Sequence, residues 1–336
     1  MNGSRDRVTI ADVAREAGVS VQTVSRVLNG KSEVSPRTRE RVRATIARLG
    51  YRPNSVARSL VTRRTTTLGL VVPDIANPFF PEVARGVEEV AHAAGYHVFL
   101  CNTNEQVERE EQALISLIEK RVDGVILCSA RLPEEQLAPL LPEFPAAVLI
   151  NRRLSRLALD AVLVEDETVL AHLVHLLRQR GYRRFAFLAG PPASYSAQVR
   201  RRGFLRALTE AGEKTQLIDL VDCAPSIQGG LKATQYLLSR KDRPEAIVCY
   251  NDLIALGALA ACQAAGLSVP SDIAVTGFDD IPIASLVSPP LTTIRVPKRT
   301  LGEVATQMLL EQLSGRQEPR QITLHPELVP RGSAPL

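Results

Sequence analysis

The chain contains no tryptophan and only 4% aromatic residues, so any ring stacking in a binding site has to come from phenylalanine or tyrosine. Its five cysteines, Cys101, Cys128, Cys223, Cys249 and Cys262, are scattered, odd in number and without C-x-x-C spacing. That pattern argues against a disulfide framework or a zinc site and for free thiols in a reducing compartment. No apolar stretch approaches the roughly 18–20 residues that span a membrane. The opening MNGSRDRVTI has no apolar run behind its charges, so no secretory leader is expected and the chain is placed in the cytoplasm. The phosphate-cradling patterns G-x-G-x-x-G and G-x-x-x-x-G-K-[ST] are missing, and none of the five histidines sits in a nucleophile–base motif. No catalytic residue, cofactor or metal site is expected.

What is present begins with an uneven distribution of charge. The net +5 divides into +9 for residues 1–64, which hold 14 Lys and Arg against five Asp and Glu, and −4 for the rest. A basic head on a mildly acidic body is the footprint of a nucleic-acid-binding module joined to something else; the plainer alternative is a solvated basic face. At 336 residues the chain is long enough for two or three domains.

Within the head, Thr9 begins a helix signal, with Asp12 in a capping-box position and Ile10, Val13, Ala14 and Ala17 on one face. Gly18 turns the chain, Ser20 caps a second helix over 21–28, and Ser35-Pro36 opens a third that runs to Gly50. Two short helices joined by a glycine-containing turn predict a helix-turn-helix. With Val24, Val27 and Leu28 facing inward, Val21, Gln22, Ser25 and Arg26 are left for the other side. Gln pairs bidentately with adenine, Arg with guanine, and Val touches a thymine methyl, so this face suits the major groove. A solvent-exposed polar face is the alternative.

The segment YRPNSVARSL (51–60) follows. Pro53 stops the preceding structure and Asn54 starts a helix too short to be stable alone. Leu60, three residues beyond Ala57, suits a minor-groove wedge that kinks the duplex. A plain linker explains the segment equally well.

From Thr66 onward, short apolar runs alternate with amphipathic helices. Nine strands are expected, at 68–73, 96–101, 123–128, 146–151, 161–166, 185–190, 216–221, 246–251 and 273–278. Near-continuous apolar strands separated by helices predict parallel sheets buried on both faces. AAGYHVFL (93–100) and RGYRRFAFL (180–188) echo each other, which suggests two similar doubly wound α/β lobes with a ligand cleft between them. Ligands in such sheets lie beyond the strand carboxyl ends. Asp74, Ser129, Asn151, Asn251, Asp252, Asp279 and Asp280 stand there, with Arg200 at a helix start and Phe79 and Phe80 available as an apolar wall. These groups bind vicinal hydroxyls or a small anion. A cap on the following helix is the other reading of Asn251 or Asp252, and turn formation that of Asp279 or Asp280.

VTIADVAREAGVSVQTVSRVLNG followed by YRPNSVARSL resembles the head and hinge of the lactose/galactose-repressor family of bacterial regulators. PDIANPFF (73–80), VDGVIL (122–127), RRRGF (200–204), YNDLIALGAL (250–259), GFDD (277–280) and PPLTTI (289–294) extend the likeness, in the family's order, from residue 8 to about 330. The resemblance implies a small all-α helix-turn-helix domain over 1–53 and a hinge helix and linker over 54–65. A two-lobed, periplasmic-binding-protein-like core over 66–336 completes the chain. The first lobe is expected at about 66–163 and 293–320, the second at about 164–290 and 321–331. The resemblance also implies that Val21, Gln22 and Arg26 read base edges, with Ser20, Thr23, Ser25 and Asn29 near phosphates. Leu60 and Ala57 then insert at the centre of a pseudo-palindromic double-stranded operator; Thr9, Tyr51 and Asn54 are counted with the DNA-facing candidates. Phe79, Ser129, Asn151, Arg200, Asn251, Asp252 and Asp279 form the candidate effector site. The implied function is a transcriptional regulator, a repressor in sense, working as a homodimer under control of a sugar-like small molecule. Some members of the family answer instead to a purine or a phosphorylated carrier protein, and a ligand-binding protein without a gene-regulatory role is the alternative of another class.

The chain departs from the family in places. Asp166-Glu167-Thr168-Val169-Leu170 replaces the frequent Asp-Asn-x-x-Gly, which leaves the polar network at that point open. Cys128 stands where some members place a polar ligand contact. The C-terminal RGSAPL carries no leucine heptad, so nothing suggests assembly beyond a dimer.

Overall fold

A computed structural model describes residues 8–28, 30, 32–51, 64–210 and 215–336. Asn29, Asn54, Ala57 and Leu60, and with them the expected hinge helix, lie outside the described residues. The chain divides into two units, Met1–Thr65 and Thr66–Leu336.

Among its described residues the first unit holds three helices, α1 (Ile10–Glu16), α2 (Val21–Leu28) and α3 (Pro36–Leu49). Thr9 closes the capping box at α1: its hydroxyl accepts from Asp12 N at 3.3 Å, and Thr9 N donates to the Asp12 carboxylate at 3.0 Å. Ser20 Oγ accepts from Thr23 N at the start of α2, and Ser35 does the same for Thr38 at α3. Gly50, in the left-handed conformation that glycine adopts without strain, ends α3. Val13, Ala14, Ala17, Val24, Val27, Val34 and Val42 meet in one small core. Each fully buried valine there contributes about 1.5–3 kcal/mol. Arg48 of α3 reaches Glu16 of α1 at 2.6 Å on the outside.

The second unit contains two parallel sheets. The larger has six strands in the order β11-β5-β4-β3-β1-β2, the smaller four in the order β7-β6-β8-β9. Their ranges are β1 Thr67–Val72, β2 His97–Asn102, β3 Gly124–Cys128, β4 Ala147–Ile150, β5 Asp160–Val164, β6 Arg184–Leu188, β7 Gln216–Val221, β8 Ala246–Cys249, β9 Ala274–Thr276 and β11 Gln321–Leu324. β10 (Thr293–Arg295) and β12 (Glu327–Val329) form a separate antiparallel pair. Central strands β3, β4 and β8 are buried along their whole length, which is why they read as unbroken apolar runs. Helices Phe79–Ala93 and Lys298–Leu313 cross in near contact: a Cβ at Gly86 would lie 2.1 Å from the Arg299 carbonyl, and one at Gly302 2.1 Å from that of Val83. Among the described residues, no helix is long and apolar enough to cross a membrane.

All nine expected strands form. Of the stretch 321–331, expected with the second lobe, the first four residues are a correction. Gln321–Leu324 pairs in register with Ala161–Val164 and extends the larger sheet. The strand is only four residues long and half exposed, so it carries none of the buried-strand signal on which the sequence reading relied.

Candidate functional site

On the head, α2 presents Val21, Gln22 and Arg26 to the outside while Val24 and Val27 are buried. Val21 is 45% exposed, which leaves its methyl groups open to a contact from outside the head. Ser20 and Thr23 share a 3.0 Å hydroxyl contact at the helix start, and Ser25 is half-buried. Thr9 is exposed, with its hydroxyl donating to Asp12; Tyr51 packs partly buried against the head's core. Arg26 Nε lies 3.4 Å from the Glu33 carboxylate, an exposed pair.

In the second unit, Phe79, Ser129, Asn151, Arg200, Asn251 and Asp279 line one cavity, six of the seven residues expected there. Three of them occupy the first position beyond an apolar stretch and have positive φ: Ser129 (52°) after β3, Asn151 (52°) after β4 and Asp279 (112°) beyond β9. The left-handed turn redirects the chain as it leaves the sheet. It is costly for a residue with a side chain and persists only where the surrounding structure holds it. Asn251 plays both of its expected parts: it lines the cavity, and its Oδ1 caps helix Asp252–Ala264 by accepting from Ile254 N at 2.9 Å.

Arg200 is the centre of the second lobe's contribution. Its side chain is 3% exposed, meets Asp166 Oδ2 at 2.9 Å, donates to the Tyr250 carbonyl at 2.7 Å and lies 3.7 Å from Asp279. The guanidinium also sits 3.5 Å from the Phe278 ring centroid. Burial pushes Asp166 up, opposed by Arg200, and raises Asp279 to about 7 against the pull of Arg200 and Lys298. Asp166, the first residue of the departing DETVL segment, thus supplies the polar network that the sequence left open.

Asp252 is the residue that the structure places elsewhere. It is fully buried and does not line the cavity; one oxygen accepts from Thr293 Oγ1 at 2.5 Å and the other from Ile281 N at 2.8 Å. Burial, then the Asp279 charge, raises it to about 8. It braces the segments leading from β9 to β10. Cys128 likewise is buried behind the cavity, with its thiol pushed up to about 12 by burial, and the next residue, Ser129, supplies the wall.

Sequence reasoning missed Arg131, Glu105, Asn77, Ser196, Pro225 and Tyr250. Arg131, 3% exposed, makes a two-pronged bond to Glu105 (2.6 and 3.0 Å) and donates to the Ser129 carbonyl at 2.6 Å. Glu105 and Arg131 each lie three residues beyond a strand end, so the strand-end rule, extended by one turn, reaches both. Tyr250 donates to or accepts from Ser194 Oγ at 3.1 Å. The cavity therefore offers two guanidiniums, each already matched by a carboxylate, three amides, hydroxyls and a Phe79–Phe80 edge-to-face pair. The space that they enclose is about 20 Å³, room for one water. Among the described residues, no His, Cys, Asp or Glu cluster is arranged to hold a metal ion.

Comparison with known proteins bears on both units. The family of bacterial regulatory proteins called the lacI family matches residues 9–54, and a periplasmic binding protein-like domain matches residues 174–334. The chain is 37% identical over 310 residues to catabolite control protein A of Priestia megaterium, covering 91% of this chain and 93% of the relative. It is similar to the crystal structure of the lac repressor dimer bound to operator and the anti-inducer ONPF, with a TM-score of 0.89 and 31% identity, over 98% of this chain and all of that one. It also resembles the transcriptional regulator CelR in complex with cellobiose, with a TM-score of 0.73 and 31% identity over the same shares. A capped helix-turn-helix, a two-lobed parallel-sheet core and similarity along nearly the whole length agree: the chain belongs to the lacI family of DNA-binding transcriptional regulators.

Proposed function

We propose that this regulator is a cytoplasmic, non-enzymatic repressor that binds a pseudo-palindromic operator as a homodimer and is controlled by a neutral sugar held in the cavity around Arg200 and Arg131. The observation that carries the sugar is the charge balance of that cavity. Each buried guanidinium already has a carboxylate, Arg131 with Glu105 and Arg200 with Asp166, so a ligand need bring no charge of its own. The remaining amides and hydroxyls suit a molecule with several hydroxyls, and Phe79 and Phe80 suit the apolar face of a sugar ring. The similarity to a cellobiose-bound regulator supports the same reading.

An enclosed space of about 20 Å³ is far below the roughly 300–1,000 Å³ of small-molecule pockets. Entry of a sugar therefore requires the walls contributed by the two lobes to part, which ties occupancy to lobe geometry. A second copy of the chain fits β2, an edge strand of the larger sheet that leaves Phe99 and Leu100 48% and 45% exposed. Two heads held by a symmetric dimer read the two operator halves.

A thermal-shift screen with neutral mono- and disaccharides tests this function. A sugar at 100 times its dissociation constant stabilises the core by about 2.7 kcal/mol, and the same sugar changes operator affinity. If no sugar in a broad panel shifts the transition, or a sugar that does leaves operator binding unaltered, the assignment fails.

A further inference from the structure

A larger, more open chamber of about 580 Å³ is lined by Glu134, Arg152, Arg153, Leu154, Tyr195 and Gln198, among others. This chamber and the enclosed cavity are lined by consecutive residues at two points of the chain. Asn151 and Ser196 line the inner one, and their chain neighbours Arg152 and Tyr195 line the outer one.

The chamber's charge differs from the inner cavity's. Arg131 and Arg200 are each paired with a carboxylate, and so is nearby Arg156, with Glu135 at 3.7 Å. Neither Arg152 nor Arg153 has a carboxylate within ion-pairing distance among the described residues. Arg152 donates one bond, from Nη2 to the Leu132 carbonyl at 3.3 Å, and its buried Nε has no acceptor among the described residues. Glu134, the chamber's carboxylate, is occupied by Ser155 N at 2.7 Å, the Ser155 hydroxyl and Arg156 N at 2.6 Å. Buried Glu110 and the already bonded Glu134 act on Arg152 through their charge without a direct bond to it, and Arg153 has no ion-pair partner among the described residues. Guanidiniums in this position bind phosphate or carboxylate oxygens by charge-assisted, often two-pronged bonds. The Tyr195 ring and Leu154 give the chamber an apolar side that suits a carbon skeleton between the anionic group and the inner ring.

We infer that the outer chamber is a second effector subsite that takes an anionic substituent, phosphate or carboxylate, carried on the sugar whose neutral ring occupies the inner cavity. The inference rests on the sugar reading of that inner cavity and adds a specificity to it. A neutral sugar then binds through the inner cavity alone, and its anionic derivative gains the contacts to Arg152 and Arg153.

Titration calorimetry of the full chain with matched ligands tests the subsite. Each neutral mono- or disaccharide is compared with its 6-phosphate and its uronic acid. Inorganic phosphate is followed separately by ³¹P line broadening. The anionic member of one pair is expected to bind at least tenfold tighter than its neutral partner, with the gain shrinking at high salt. Arg153→Gln, at an exposed position, is expected to remove that gain, leave the neutral sugar's affinity within twofold, and abolish the phosphate broadening. A neutral sugar that binds as tightly as its phosphate and uronate overturns the subsite while sparing the sugar reading, as does a gain that survives Arg153→Gln. Phosphate broadening that depends on Arg153, with no neutral sugar binding, overturns the sugar reading and leaves the anion chamber standing. Absence of both binding and broadening overturns the two together.

Discussion

Arg200 Nε and Asp166 Oδ2 meet at 2.9 Å with both side chains 3% exposed, so the guanidinium at the candidate effector site, on helix Tyr195–Thr209, is held by the carboxylate of the first residue of helix Asp166–Gln179. Removing one partner of a buried pair leaves the other uncompensated and typically costs 3–5 kcal/mol. Here two carboxylates, Asp166 and Asp279, lose the same cation. Arg200→Met is expected to destabilise the second unit by about that amount and to abolish the effector response, while the separate head still binds DNA. Urea unfolding showing a loss below about 1 kcal/mol would mean that the pair contributes position rather than charge compensation.

Asp252 and Asp279 make stability depend on pH in the unusual direction. Their folded values, about 8 and about 7, lie above the 3.8 of an ordinary aspartate. The folded chain thus holds protons that the unfolded chain has released. The stability tied to these protons is fully present below pH 3.8 and is lost as pH rises through about 7 to 8. Thr293, the Ile281 amide, Asp279 and Asp280 face Asp252; Arg200, Lys298 and Asp166 face Asp279. Unfolding measured from pH 5 to 9 should show falling stability with rising pH, and Asp252→Asn should flatten the slope. An unchanged slope in that variant would show that Asp252 titrates normally.

Gly190 approaches the cavity wall from behind. It has φ of +72°, and a Cβ there would lie 2.6 Å from two carbons of the Tyr250 ring. Alanine is strained in that backbone conformation by about 1–2 kcal/mol and would also push the ring. Gly190→Ala is expected to lower the unfolding midpoint and weaken effector binding together, because Tyr250 lines the cavity. Lowered stability with unaltered ligand affinity would show that the ring shifts without affecting the site.

The head and nine strands were legible because their signals are local: caps, a glycine turn and apolar runs fixed by burial on both faces. The cavity was legible where a polar residue directly follows a strand, as at Ser129 and Asn151. Arg131 and Glu105 were not, because their pairing joins residues 26 apart that only the fold brings together. Asp252, at the same kind of position, does not line the cavity. Its motif marks a strand end, but both of its oxygens are already bonded, to Thr293 and Ile281, and no periodicity in the sequence reveals that. β11 escaped because an exposed, four-residue strand at a sheet edge has no burial pattern to read.

The head yields the sharpest test of sequence reading by DNA. Arg26 lies 3.4 Å from Glu33, with side chains 50% and 61% exposed, so their attraction is worth at most about 1 kcal/mol and is easily given up. To reach guanine N7 and O6, the guanidinium has to leave that carboxylate. Arg26→Ala is expected to cost about 1–3 kcal/mol per half-site and to relax preference at one symmetric pair of base positions. Glu33→Gln acts differently. It frees Arg26 and removes a negative charge close to the phosphates, so operator and random DNA should both be bound more tightly, up to about tenfold at low salt, with base preference unaltered. Binding-site selection with each variant, followed by fluorescence anisotropy at 50 and at about 200 mM salt, separates the two roles. Wild-type base preference in Arg26→Ala would remove Arg26 from the reading face. A changed preference in Glu33→Gln would instead show that the carboxylate positions Arg26 on its base rather than merely holding it when DNA is absent.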